Sequence, residues 1–268
     1  MEDKQRKLVE NTKENKIKKV LIKLLVLCFW LLVWEIGSRL INQELFLPSP
    51  RSVLITAYKL SKTSEFWFSI INSFVRIAIG FFMGLVAGIL LAIFSYKIKL
   101  IYELISPLMR IIKSTPVASF IILALVWISS DNLSILISFL MVLPVSFSNM
   151  LYGLQSTDVK LLEMAKVFEL SRWKRIRAIY LPTVLPFVIS AMSIGLGFSF
   201  KSGIAAEVIG RPSNSIGLNL YEAKLYLMIK ELFAWTLVII LLSVLFEKII
   251  MWIFKSFGYD KKDIQKIK

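Results

Sequence analysis

The stretch IAIGFFMGLVAGILLAIF, residues 77–94, is 18 residues long, carries no charge and has a glycine at every fourth position from Gly80 to Gly88. Its length is close to the roughly 20 apolar residues that cross a bilayer as an α-helix. Glycines at this spacing share one helix face and let a neighbouring backbone approach closely. The stretch therefore predicts a membrane-spanning helix whose glycine face packs on another span.

The rest of the chain has the composition of a membrane protein. Residues 183–200 form a second uncharged run of 18 residues, and 57% of the 268 residues are hydrophobic. Mean hydropathy is +0.71. Membrane β-barrel strands alternate apolar and polar residues, whereas these runs are apolar on all sides. The fold class predicted is therefore an all-α, polytopic membrane protein.

The apolar runs predict six transmembrane helices, at about residues 20–40, 70–94, 102–128, 133–154, 183–206 and 232–254. Pro107 and Pro116 interrupt the third, and we expect a break near Thr115. The segment 53–67 is predicted to lie along the membrane surface, with Ser52 capping a helix nearby. The domains expected are a tail, first span and outer connection (1–67), the transmembrane domain (68–254) and a C-terminal tail (255–268).

Basic residues are concentrated in four of the polar segments. Of the 33 Lys and Arg residues, 23 fall in residues 1–23, 95–113, 155–180 and 255–268. Because cytoplasmic segments carry the excess of Lys and Arg, both termini are predicted to be cytosolic in a multi-pass protein of the cell membrane. This topology accounts for the net charge of +15 without a nucleic-acid partner.

Composition also excludes several kinds of chemistry. The chain has one cysteine, Cys28, so no disulfide framework is expected. It has no histidine, which is the commonest general base and metal ligand. We therefore predict no catalytic residues, no metal site and no cofactor.

The segment EMAKVFELSRWKRIRAIYLP, residues 163–182, lies between the fourth and fifth predicted spans. It resembles the signature of the inner-membrane permeases of binding-protein-dependent ABC importers: Glu-Ala-Ala, three residues, Gly, nine residues, Ile-x-Leu-Pro. The residues in register are Glu163, Ala165, Ile179, Leu181 and Pro182. Ser171 and Arg172, followed by Trp173, are a frequent filling of the interval.

Two positions depart from this signature, Met164 at the first alanine and Glu169 at the glycine. Glycine there would allow a turn with positive φ, which glutamate adopts with difficulty. The resemblance implies that this segment is a cytosolic coupling helix, so that Glu163, Ala165, Glu169, Ser171 and Arg172 act in ATPase coupling. Residues 179–182 (Ile179, Leu181 and Pro182 of the motif) would join it to span five.

The resemblance covers about residues 45–250 and is to the sulfonate, taurine and nitrate branch of these permeases. It rests on Leu47-Pro-Ser-Pro50, on Ser73, Arg76 and Gly80 opening span two, and on Glu207 before a glycine-containing loop. It implies a permease subunit that pairs with a second copy and works with a cytosolic ABC ATPase and an extracytoplasmic substrate-binding protein. Residues 195–202 echo a phosphate-binding loop, but Phe200 replaces its second glycine. We therefore expect ATP hydrolysis on a separate subunit, and no enzyme activity here.

Ionisable residues at membrane depth are costly and mark candidate transport paths. Arg76, Lys201 and Glu207 are the candidates for the path of a small, anionic solute such as a sulfonate, nitrate or bicarbonate. Other interpretations are that Arg76 extends to the interface, that Lys201 pairs with a carboxylate such as Glu207, or that Glu207 ends span five. Related permeases also carry pyrimidine vitamin precursors, so the solute stays open.

The alternative function is a secondary transporter or channel that works without an ATPase. Such a protein would be expected to show inverted repeats and helices broken at matched positions. We find no convincing internal repeat in the sequence, and this reading leaves the motif at 163–182 unexplained.

Overall fold

The structure, a computed structural model, describes the backbone of residues 2–256 and the side chains of residues 21–253. Every regular element in that range is a helix, which confirms the all-α fold class. The predicted C-terminal tail lies outside the described residues beyond Ser256. The elements are α1 (Glu2–Ile41), α2 (Pro50–Leu60), α3 (Ser64–Lys97), α4 (Lys99–Ser114), α5 (Val117–Ala124), α6 (Ser130–Gln155), α7 (Val159–Val167), α8 (Arg172–Arg175), a π-helical turn (Ile176–Tyr180), α9 (Leu181–Gly210), α10 (Ile216–Leu225) and α11 (Ile229–Ser256).

Within the described residues, five helices are long and apolar enough to cross a bilayer: Leu21–Ile41, Ser64–Lys97, Ser130–Gln155, Arg172–Gly210 and Ile229–Ile253. A sixth is reached if α4 and α5 count as one bent span. The prediction of six spans is consistent with this range. Most helices extend further than predicted, because polar residues such as Lys97 continue the hydrogen-bonded backbone past the apolar run.

The third predicted span is broken where the sequence indicated. Helix α4 ends at Ser114, α5 begins at Val117, and their axes differ by 102°. Pro116 explains the break, because it lacks a backbone N–H and pushes the preceding residue out of the helical region. Thr115 accordingly has an extended backbone with φ of −80° and ψ of 130°.

The core is the packing of α3 against α6, along Gly80, Gly84 and Gly88 of α3. A Cβ atom on Gly84 would lie 2.7 Å from the carbonyl oxygen of Phe139, and one on Gly88 would lie 2.7 Å from that of Leu143. Such close approach admits only glycine. Ser146 on α6 then donates a 2.8 Å hydrogen bond across the contact to the carbonyl of Leu85. The predicted glycine face is confirmed as a helix-packing face.

Helix α9 packs on both α3 and α6. Ser138 of α6 donates a hydrogen bond of 3.1 Å to the carbonyl of Ser199, and a Cβ on Gly203 would lie 2.6 Å from the same serine oxygen. Small residues thus let α9 pack closely on the pair formed by α3 and α6. Phe246 of α11 meets Phe74 of α3 edge-to-face, with ring centroids 4.8 Å apart, and also lies 5.9 Å from Phe200 of α9.

The chain divides into two compact units, one of which combines residues 1–60 with 223–234. In this unit Ser38 donates to the carbonyl of Leu47 at 2.9 Å, which fixes the turn after α1. Helix α2 begins at Pro50 and is capped by Ser49, whose Oγ accepts from the Ser52 backbone N–H at 3.2 Å. The predicted capping role of Ser52 is therefore wrong, because Pro50 already occupies the first helical position.

An exposed ion pair completes this unit. The Glu44 carboxylate pairs with the Lys230 ammonium and accepts a hydrogen bond from Ser52 at 2.7 Å. These bonds, the one from Lys230 first, lower the pKa of Glu44 below its ordinary value.

The close approach of α3 and α6 predicts that an added methyl group at Gly84 separates the two backbones. We expect Gly84→Ala to destabilise the protein by about 1–3 kcal/mol, as overpacking does. The measurement is thermal unfolding of the detergent-solubilised chain. The matched control is Gly197→Ala, because a Cβ on Gly197 meets nothing within 4 Å. Unfolding of Gly84→Ala at the wild-type temperature would contradict the packing described.

Candidate functional site

The predicted path residue Glu207 lies in the last turn of α9 and is fully buried, at 0% exposure. Its Oε2 atom accepts a 2.6 Å hydrogen bond from the Ser73 hydroxyl of α3 and a 3.2 Å hydrogen bond from the Gly217 backbone N–H. A buried carboxylate is tolerated only when it is paired or hydrogen-bonded. Glu207 therefore does more than end span five: it joins α9 to α3 and to the start of α10.

The same contacts hold the loop between α9 and α10 against α3. Ser73 also accepts the backbone N–H of Ile216 at 2.9 Å, and Asn72 donates to the carbonyl of Asn214 at 3.2 Å. Gly217 packs directly on the Glu207 side chain and backbone, in a space that no Cβ could enter. No local sequence pattern indicated that Ser73 donates to Glu207, because 134 residues separate the two.

Arg76, one turn after Ser73 on α3, lies beside this junction. Its Nη2 donates to Asp131 Oδ1 in the first turn of α6 at 2.9 Å, and its Nη1 lies 4.0 Å from Glu207 Oε1. The arginine side chain is 17% exposed, against 62% for Asp131. Arg76 is therefore held by a carboxylate of a second helix, and it ties α3 to α6 at the end where the α9–α10 loop docks.

Three polar atoms inside this junction make no hydrogen bond to the described residues. Arg76 Nη1, Glu207 Oε1 and the hydroxyl of Ser134 are buried without a hydrogen-bond partner in the described protein. The electrostatic attraction between the first two acts across 4.0 Å, without the direct hydrogen bond that a close ion pair makes.

Lys201 lies elsewhere. It is six residues before Glu207 on α9, which is about 600° of helical rotation and so places it on another face. Its side chain is exposed, as are those of Ile194 and Phe198 on the same side of α9. Among the described side chains Arg76 and not Lys201 is the cation within ion-pair distance of Glu207, so the predicted alternative that Lys201 pairs with Glu207 is wrong.

The motif segment forms two short helices, with the predicted turn between them. Glu169 has φ of 49°, the left-handed conformation that glycine would adopt more readily. The Leu170 N–H donates to the carbonyl of Ala165 at 2.9 Å, and the Glu169 N–H donates to that of Lys166 at 3.2 Å. This is the Schellman hydrogen-bond pattern. Glutamate therefore adopts at this position the positive-φ turn that a glycine would allow.

The remaining motif residues divide between a buried and an exposed set. Ala165 and Ile179 are buried within the chain, so the small size of Ala165 serves packing inside this protein. The exposed members are Glu163, Glu169, Ser171, Arg172, Leu181 and Pro182. Ser171 caps α8, because its Oγ accepts the Lys174 backbone N–H at 3.4 Å.

Large apolar side chains are exposed on this segment, and the sequence analysis did not identify them. Val167 is 79% exposed, Phe168 71% and Trp173 72%. Adjacent exposed apolar side chains rimmed by charge mark an interaction surface. Their signal was present in the sequence as three large apolar residues flanking the turn.

Ile179, Leu181 and Pro182 lie within continuous helix. The π-helical turn at Ile176–Tyr180 runs directly into α9, so α8, the turn and α9 form a single helical segment from Arg172 to Gly210. The Thr183 hydroxyl donates to the Ile179 carbonyl at 2.8 Å, one turn earlier on this segment. The predicted junction to span five is thus the first part of the span itself.

The comparison with known families agrees with this architecture. A family described as the binding-protein-dependent transport system inner membrane component matches residues 84–258. The chain belongs to this family. It is an ABC importer permease, and the function predicted from the motif is confirmed at that level.

Relatives within the family carry names for several solutes. The aliphatic sulfonates transport permease protein SsuC of Bacillus subtilis is 24% identical over 81% of this chain and 78% of its own length. The nitrate import permease protein NrtB of Synechocystis is 25% identical over 71% of this chain and 72% of its own length. The taurine transport system permease protein TauC of Escherichia coli is 23% identical over 80% of each chain.

The junction around Glu207 predicts a specific loss on removal of one hydroxyl. Ser73→Ala removes a donor to the buried carboxylate and an acceptor for the Ile216 N–H, so we expect a destabilisation of about 1–3 kcal/mol. Thermal unfolding in detergent measures it. Ser213→Ala in the same loop, at an exposed position, is the control and should lie within about 0.5 kcal/mol of wild type. Equal stability of both variants would show that the Ser73 hydrogen bonds contribute nothing.

Proposed function

We propose that this chain forms the translocation path for a small anionic solute of the sulfonate, taurine or nitrate kind. The observation that carries the proposal is the exposed Lys201 in the C-terminal half of α9, within a helix apolar enough to span a membrane. The names of the relatives, which specify sulfonates, nitrate and taurine, support the sign of the charge. A separate ABC ATPase supplies the energy, and a binding protein delivers the solute.

The exposure of Lys201 argues for a second copy of the chain. A lysine that faces lipid at membrane depth is costly, and such residues normally face a bundle interior or a water-filled cavity. In the described part of this chain no carboxylate pairs with Lys201, and Gly197 beside it leaves open space. Two copies related by a two-fold axis would enclose this face of α9 and place two ammonium groups along one aqueous path.

Arg76 and Glu207 have a supporting role at one end of this path. Glu207 has no surface that a solute could contact, so it acts through Arg76 and the docked α9–α10 loop. Arg76 keeps a partly exposed guanidinium, whose charge is shared between Asp131 and Glu207. We place this end on the extracytoplasmic side, where the binding protein delivers the solute.

The basic segments set the orientation that this requires. With both termini in the cytosol, α7 and α8 also lie in the cytosol, and 23 of the 33 Lys and Arg residues are on the inner side. The protein would then be surrounded by lipid in the cell membrane, with Ser130 and Ser171 on opposite sides.

Helix α7 and the turn at Glu169 are proposed as the contact with the ATPase. Val167 and Phe168 supply an uncovered apolar surface, and Glu163 and Arg172 supply charges beside it. Because α8 continues without interruption into α9, a displacement of the docked segment would move the helix that carries Lys201. The closure of the ATPase on ATP would thereby be transmitted to the transport path.

A charge reversal tests the coupling contact. Glu163→Lys should cost about 2–5 kcal/mol at the ATPase contact, since it places an unpaired or repelling charge in a partly buried interface. The variant should insert in the membrane normally and lose copurification of the ATPase or solute-stimulated ATP hydrolysis. Glu222→Lys makes the same change at an exposed position of α10 and should behave as wild type. Full coupling in Glu163→Lys would remove Glu163 from the contact.

Removing the positive charge of Lys201 tests whether the solute is anionic. Lys201→Met keeps the approximate shape of the side chain and should lower uptake of an anionic solute about tenfold, the effect of roughly 1.4 kcal/mol. Uptake is measured in proteoliposomes that contain the assembled transporter, with Lys224→Met on α10 as the matched control. Unchanged uptake in Lys201→Met, or a cationic native solute, would contradict the electrostatic part of the proposal.

A further inference from the structure

A cavity of about 200 Å³ lies between α4 and α6, away from both Lys201 and the Glu207 junction. Its floor is apolar and buried, formed by Met109, Phe147 and Leu151. Its rim is polar and includes Arg110 and Lys113. This volume is below the roughly 300–1,000 Å³ of pockets for drug-sized ligands, so the cavity suits a small group rather than a large ligand.

Arg110 and Lys113 lie on one side of α4, and both line the rim of this cavity. They are three residues apart, the spacing at which side chains on a helix are neighbours. Lys113 Nζ donates a 2.8 Å hydrogen bond to Ser148 Oγ on α6, which holds the ammonium at the cavity and leaves two of its N–H groups to donate. No carboxylate lines the cavity, and none among the described side chains pairs with Arg110 or Lys113.

The exposed apolar face of α4 indicates what kind of molecule would bind at this rim. Four of its large apolar side chains are exposed along one face, at Leu100, Leu104, Leu108 and Ile111. A helix with an uncovered apolar face and lysine or arginine beside it is typical of the membrane interface. Basic pockets between membrane helices bind lipid head groups in other proteins. The occupant therefore combines a negative group with an apolar one.

We propose that this cavity binds a tetrahedral oxyanion, a sulfonate or a phosphate, that carries a short apolar group. The oxyanion takes paired hydrogen bonds from the Arg110 guanidinium and a charge-assisted bond from Lys113. The apolar group lies on Met109, Phe147 and Leu151. Two sources supply this chemistry, a free alkyl sulfonate and the phosphate of an anionic lipid. The site is independent of the path through Lys201, so either proposal can fail alone.

The test uses the purified full-length chain in detergent and in lipid nanodiscs. In detergent, butanesulfonate binding is measured by calorimetry. In nanodiscs that contain phosphatidylcholine with one fifth phosphatidylglycerol, lipid retained by the protein is measured by native mass spectrometry. The variant is Arg110→Gln with Lys113→Gln. The control is Lys97→Gln with Lys99→Gln, which removes the same charge at the nearby α3–α4 corner outside the cavity.

We expect the cavity variant to weaken binding of at least one probe about tenfold or more, and the control to stay within about twofold of wild type. Loss for butanesulfonate alone identifies a free solute as the source, and loss for phosphatidylglycerol alone identifies lipid. Leu151→Trp, which fills the floor and keeps both charges, should reproduce the loss, and it covers the case in which the double variant fails to fold. If neither probe distinguishes cavity variants from the control, the proposal is overturned.

Discussion

The arrangement of this permease depends on how closely the backbones of α3 and α6 approach one another. At Gly84 and Gly88 a side-chain carbon would lie 2.7 Å from a carbonyl oxygen of the facing helix, so no other residue fits there. Lipid chains are as apolar as the helix side chains, and helix association in a bilayer therefore relies on packing and interhelical hydrogen bonds. The glycine stripe supplies the packing, and Ser146 supplies a hydrogen bond across it.

The buried polar junction becomes possible because those helices are close. Arg76 of α3 reaches Asp131 of α6, and Ser73 of α3 reaches Glu207 of α9. A carboxylate at 0% exposure is stable only inside such a set of donors. The junction in turn holds the α9–α10 loop, so the loop position depends on the helix spacing as well as on residues such as Gly217.

Helix α9 combines the two properties that a transmission element needs. One face carries the hydrogen bonds to α3 and α6, and another carries Lys201, which no described residue of this chain covers. Its N-terminal end continues through a π-helical turn into α8 and the exposed apolar surface at Phe168 and Trp173. π-Helical turns occur often at functional sites. In the proposed function, the Arg172 end of the ATPase contact and the charge on the solute path thus belong to one continuous helical segment.

The sequence by itself determined the all-α class, the spans and the motif at residues 163–182, because hydrophobic run length and spacing along one chain carry that information. It also indicated the glycine face of α3 and the break at Pro116. Only the tertiary structure decided that Glu207 is bound by Ser73, that Lys201 faces away from it, and that Ala165 is buried within the chain. These depend on which residues from distant segments meet and on the rotation of each helix about its axis, which helix–helix packing sets and no local pattern records.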